Sequence, residues 1–114
     1  MSGGPDSERA RRVGLNESVF REVNERLSSL ATAYVLEEEP LDLICECGNV
    51  DCVERIRVSR DDYEAIRSDP AQFAVVEGHV ETDLEDVVQQ GRGYEIVRKK
   101  QGQGLEVARQ TDPR

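Results

Sequence analysis

Residues 41–59 read LDLICECGNVDCVERIRVS, and this stretch decides the architecture. Leu41, Leu43, Cys45 and Cys47 alternate with Asp42, Ile44 and Glu46, the two-residue period of a half-buried strand. Gly48-Asn49 marks a turn. Alternation resumes from Val53 to Ser59, with Ile56 and Val58 on one side and Arg55 and Arg57 on the other. Two strands joined across CECGNVDC predict a hairpin with an enlarged, cysteine-bearing turn.

Within that turn Cys45, Cys47 and Cys52 form a C-x-C-x4-C cluster. Three thiolates so close in sequence can converge on one tetrahedral zinc, because a turn at Gly48 folds Cys52 back towards the first two. Gly48 is expected to give the loop a positive φ, which glycine adopts without steric cost. A fourth ligand closes such a site. His79 is the sole histidine and sits in a Glu-Gly-His turn, so Cys45, Cys47, Cys52 and His79 are the candidate ligands of a structural zinc. Glu46, Asp51 or a water are the other ways to close it. Two readings compete: three cysteines serving as small buried hydrophobes, or a Cys47–Cys52 redox pair, whose spacing differs from the C-x-x-C of thiol oxidoreductases.

The segment C-x-C-G-x3-C, here Cys45, Cys47, Gly48 and Cys52, is similar to the post-SET zinc motif of histone-lysine methyltransferases. In that family a distant part of the fold brings the fourth ligand. The likeness implies metal coordination alone, since 114 residues do not hold a methyltransferase body. Over most of its length the chain also resembles a family of small cytosolic actinobacterial proteins with no established activity. The matching segments are Asn16 to Leu27, the cysteine cluster through Arg57, Tyr63 to His79, and the terminal Thr111-Asp112-Pro113-Arg114. That resemblance implies cytosolic location, a capacity to bind metal, and a single unit made of the cysteines and His79.

Upstream, residues 1–12 are polar and contain Gly, Ser and Pro, which predicts a disordered lead-in. Val13, Phe20, Leu27 and Tyr34 then recur every seventh residue, with Val23 and Leu30 between them and Asn16 as a polar register residue. This predicts an amphipathic, coiled-coil-like helix over 13–36. Phe20, Val23, Leu27 and Leu30 are the candidate contacts to a protein partner or a second copy; packing on the chain's own domain is the alternative. The run Glu37 to Pro40 ends the helix.

Downstream, Ser59 and Asp62 form a helix-start pattern for a short helix over 60–68, stopping before Pro70. Phe73 to Glu77 reads as a strand. Thr82 and Glu85 predict a second short helix ending near Gln90, with Gly91 as its stop, and Tyr94 to Lys100 predicts the last strand. Residues 101–114 read as a loose tail. The expectation is therefore an α+β protein. An N-terminal amphipathic helix precedes a small zinc-stapled domain over 41–100, with an antiparallel sheet of about four strands and two short helices.

Composition agrees with a stapled or oligomeric mini-domain. Apolar residues make up 37% and charged residues 34%, against about 45–50% and 25% in ordinary globular chains. A core this small commonly needs a metal or a partner subunit. The net charge of −9 is uneven. Residues 1–36 balance at five acids and five bases, residues 37–60 carry −4, residues 61–90 carry −8, and residues 91–114 carry +3. An acidic middle repels phosphate backbones, which disfavours nucleic-acid binding. The absence of a long apolar run excludes a membrane span, and the N-terminus lacks the apolar segment of a secretory signal. A reducing compartment, the cytoplasm, follows, where three clustered cysteines serve as metal ligands or reactive thiols sooner than as disulfides.

The leading functional reading is a non-catalytic zinc-binding interaction or regulatory module. A redox- or metal-sensing switch would use the same cysteines. A zinc enzyme is disfavoured because three thiolates quench the Lewis acidity that activates water, and the P-C-x-x-C element of the zinc deaminases does not occur.

Overall fold

The computed structural model describes residues 5–33 and 40–114. The elements in chain order are α1 (Pro5–Ala33), β1 (Leu41–Ile44), β2 (Arg55–Val58), α2 (Arg60–Arg67), β3 (Gln72–Val76), β4 (Glu85–Gln90), β5 (Tyr94–Lys99) and α3 (Gln103–Gln110). The protein is α+β, with two antiparallel sheets: a β1–β2 hairpin and a three-stranded sheet ordered β3-β5-β4. None of the described helices is long and apolar enough to cross a membrane.

The hairpin pairs as its alternation predicts, from Leu41 opposite Val58 to Ile44 opposite Arg55. Leu41, Leu43, Ile56 and Val58 all face inward, where they meet Tyr63 and Ile66 of α2 and Ala74, Tyr94 and Ile96 of the larger sheet. That sheet buries a second group, Phe73, Val75 and Val97, which packs with Ala108 of α3 and with Cys45 and Cys47. Cys45 and Cys47, at the start of the cysteine loop, are thus part of the interior. Helix α2 starts as expected, with the Ser59 hydroxyl accepting from the Asp62 N–H at 3.1 Å.

Three expectations require correction. Residues 82–90 form no helix. A turn closes at Glu81–Glu85, with the Leu84 and Glu85 N–H groups both donating to the Glu81 carbonyl, and β4 follows. This strand lies at the sheet edge and is exposed from Asp86 onward, so it carries no inward alternation to read. The tail is not loose: Leu105, Val107 and Ala108 of α3 are buried. Eight residues are too few for a helix to stand alone, so tertiary packing makes it. Helix α1 begins at Pro5, inside the stretch expected to be disordered. Tyr34 to Leu36 and the acidic run Glu37–Glu39 lie outside the described residues.

The larger surprise is the orientation of α1. Its inward face carries Val13 but also Glu17, Arg21, Asn24 and Ser28, all buried. Glu17 meets the Lys99 ammonium at 2.8 Å, and Lys99 reaches Glu85 at 3.0 Å. Arg21 donates to the carbonyls of Pro70 at 2.6 Å and Ala108 at 2.8 Å, and its guanidinium lies 4.5 Å above the Phe73 ring centre. Charged groups can be buried in this way because each has a partner. The heptad residues divide accordingly. Leu27 packs against the chain's own core and Phe20 is half-buried, while Val23 and Leu30 are exposed.

Candidate metal centre

The hairpin ladder runs one rung past β1, with the Cys45 N–H donating to the Glu54 carbonyl at 2.9 Å. The chain then crosses to the larger sheet, where the Glu46 N–H donates to the Ala74 carbonyl at 2.9 Å. These two bonds fix Cys45 and Cys47. Beyond them the loop turns back on itself: the Asn49 side chain accepts from the Asp51 N–H at 3.0 Å, and the Asn49 carbonyl accepts from the Cys52 N–H at 3.0 Å. Cys52 is thereby brought over the first two cysteines.

His79 arrives from the end of β3. Gly78 has φ of 88°, a backbone region that glycine enters without strain, and the His79 N–H closes the turn on the Val76 carbonyl at 2.9 Å. The imidazole Nδ1 lies 3.6 Å from Cys45 Sγ and 3.7 Å from Cys52 Sγ. The ligand atoms of Cys45, Cys47, Cys52 and His79 all lie within 4.8 Å of one another. Zinc bonds of about 2.3 Å to sulfur and 2.0–2.1 Å to nitrogen, at a tetrahedral angle, separate neighbouring ligand atoms by about 3.5–3.8 Å. Three cysteines and one histidine are therefore positioned to bind a metal ion.

Supporting contacts complete the arrangement. The Val76 N–H donates to Cys45 Sγ at 3.2 Å, which favours a thiolate there. On the other side of the imidazole, Nε2 lies 3.0 Å from Glu54 Oε2. A carboxylate only accepts, so the proton belongs on Nε2 and the Nδ1 lone pair faces the thiols. In the metal-free cluster the Cys45 thiol bonds to the Cys47 sulfur, which brings Cys47 down to about 5 and pushes Cys45 up. Burial raises Cys52. Metal uptake would displace the protons that the thiols still carry.

Of the alternative closing ligands, Glu46 is engaged elsewhere. The Glu46 carboxylate turns away from the sulfurs, accepting from Asn24 Nδ2 at 2.8 Å and from the Ala74 N–H at 2.9 Å. Burial pushes its pKa up. Asp51 is exposed. Gly48 does not adopt the positive φ expected of it; among the described glycines only Gly78, Gly93 and Gly102 do. Its requirement is space, because a Cβ there would stand 2.4 Å from Val13 Cγ1 on α1.

Sequence reasoning missed how α1 holds the loop. Asn24 donates to the Ile44 carbonyl at 2.9 Å and accepts from the Ile44 N–H at 2.9 Å, besides binding Glu46. Asn16, read as a register residue, donates to the Gly48 carbonyl at 3.0 Å. A signal was present: asparagines at positions 16 and 24 put two amides about two turns apart on one helix. Glu54, two residues after Cys52, gave none. No protein-family model, curated protein or solved structure matches the chain.

Proposed function

We propose that the chain is a non-catalytic zinc-binding module that acts through protein–protein contact, with Cys45, Cys47, Cys52 and His79 as the ligands. The observation that carries this reading is the convergence of four ligand atoms of the right chemistry within 4.8 Å. Three soft thiolates and one imidazole suit zinc over magnesium, calcium or manganese. Four protein ligands complete a tetrahedron and leave no position for a reacting water, which favours a structural role over a catalytic one. The placement of Cys45 and Cys47 within a buried cluster supports the same role, since the metal would add folding free energy that a small core lacks. The thiols need a reducing compartment, which favours the cytoplasm.

Elemental analysis of protein purified under reducing conditions without added zinc tests the proposal. The expected result is about one zinc per chain, the stoichiometry of a single tetrahedral site. Cys47→Ser should lose the metal and much of the fold, and His79→Ala should bind more weakly. A wild-type protein that folds without stoichiometric metal would overturn the reading. Full occupancy and unchanged melting in His79→Ala would remove His79 from the site.

A further inference from the structure

The outward face of α1 carries an apolar row flanked by Glu22 and Arg26, opposite the polar face that enters the protein. Leu15, Val19, Val23 and Leu30 are 37%, 61%, 39% and 55% exposed. At about 3.6 residues per turn they form one row. The first three, with Ser18 and Thr111 at the edge, line a shallow groove of about 330 Å³. The helix cannot hide this row by turning over. Doing so would bring Glu17, Arg21 and Asn24 to the surface and break their bonds to Lys99, to the Pro70 and Ala108 carbonyls, and to Ile44 and Glu46.

We propose that this row is the interface of an antiparallel homodimer, α1 against α1 of a second copy, in which Leu15 faces Leu30 and Val19 faces Arg26 of the second copy. Charge selects the occupant. The chain carries −9 overall, yet residues 5–33 balance at five acids and five bases. Here two copies of an acidic protein can approach without repulsion, whereas a basic partner would be drawn to the acidic body instead. Charge also selects the direction. Arg12 shares the row near the start of α1, and the last described turn, Leu30 to Ala33, carries no charge. Antiparallel packing opposes the helix dipoles favourably. Parallel packing sets like against like.

The pairing is two-fold and self-complementary, as an isologous interface requires. Burying four half-exposed aliphatic side chains and their rims on each copy covers on the order of 1,000 Å² in total, below the ~1,200–2,000 Å² of stable complexes and in the range of weak, transient ones. Association should therefore be weak and concentration-dependent. This interface extends the interaction reading above, and zinc content keeps the two separable.

Sedimentation velocity of the full zinc-loaded chain, from low to high micromolar concentration, is the test. Wild type should pass from monomer to dimer. Val23→Asp should weaken the dimer at least about tenfold, with zinc content and far-UV spectrum unchanged. Val19→Glu gains an ion pair with Arg26 of the second copy and should weaken association less than Val19→Arg. A monomer at every concentration would overturn the interface, as would a dimer indifferent to Val23→Asp or a Val23→Asp chain that unfolds with its zinc site lost. Equal losses from the two Val19 variants would overturn the antiparallel pairing.

Discussion

His79 Nε2 lies 3.0 Å from Glu54 Oε2, on the opposite edge of the ring from the nitrogen that meets Cys45 and Cys52. The carboxylate comes from the residue whose carbonyl also receives the Cys45 N–H. One short segment thus holds the histidine and the first cysteine together.

Removing that carboxylate should loosen the metal without removing it. Glu54→Ala should lower zinc affinity by about 10-fold, the low end of the 10–100-fold usual for residues behind a ligating histidine, because Glu54 is itself half-exposed to water. Competition against a chromophoric chelator reads this directly. An unchanged affinity would leave the ring oriented by its turn alone.

Asn24 is the clamp between α1 and the metal loop. Asn24→Leu removes three hydrogen bonds and leaves the buried Glu46 carboxylate with one amide partner fewer. The expected loss is about 2–3 kcal/mol in denaturant unfolding of the zinc-loaded protein, the scale for orphaning buried polar groups. A loss below about 0.5 kcal/mol, the size of an ordinary surface change, would mean that the loop keeps its shape without the helix.

Gly48→Ala should destabilise by about 1–3 kcal/mol through overpacking, since the new methyl would meet Val13 Cγ1 at 2.4 Å. Val13→Ala in the same chain should recover part of the loss. A double-mutant cycle with no coupling would place the damage elsewhere.

The far end of the molecule predicts an acid-sensitive contribution. Burial raises Glu25, but hydrogen bonds from Arg114 and Arg67 outweigh it and hold its pKa below the ordinary 4.5. The Arg114 hydrogen bond lowers Glu64 likewise. A carboxylate with a depressed folded-state pKa stabilises the fold above its unfolded value and loses that contribution as pH falls through the folded one. The stability advantage of wild type over Arg114→Ala should thus be complete above about pH 5 and shrink steadily below about 4.5. Thermal melts of both proteins across that range check it; a difference that grows in acid would contradict the assignment.

The centre was legible in the sequence because its signals are local. Cysteine spacing, the alternation flanking it, a Gly-Asn turn and a serine cap each act over a few residues, and the hairpin, the loop and α2 followed from them. His79 was reachable only as the sole histidine, since nothing in the chain near it announces where the β3 turn ends in space. Residues 82–90 misled for the opposite reason. A local helix-start pattern was present, but pairing with β5 satisfied the backbone better and left Val87 and Val88 outside.

Residue pattern alone determined the cysteine cluster, the strand pair that frames it and the balanced charge of α1, because each is a property of neighbours along the chain. Tertiary structure alone decided which face of α1 turns inward. Apolar periodicity by itself would turn Val23 and Leu30 to a core or partner and leave Glu17, Arg21 and Asn24 in water. The groups that reverse that choice are the Lys99 ammonium, the Pro70 and Ala108 carbonyls and the Glu46 carboxylate. They lie 22 to 87 residues away in sequence. A buried charge is favourable only where its partner already stands, and the partner's position is set by the fold.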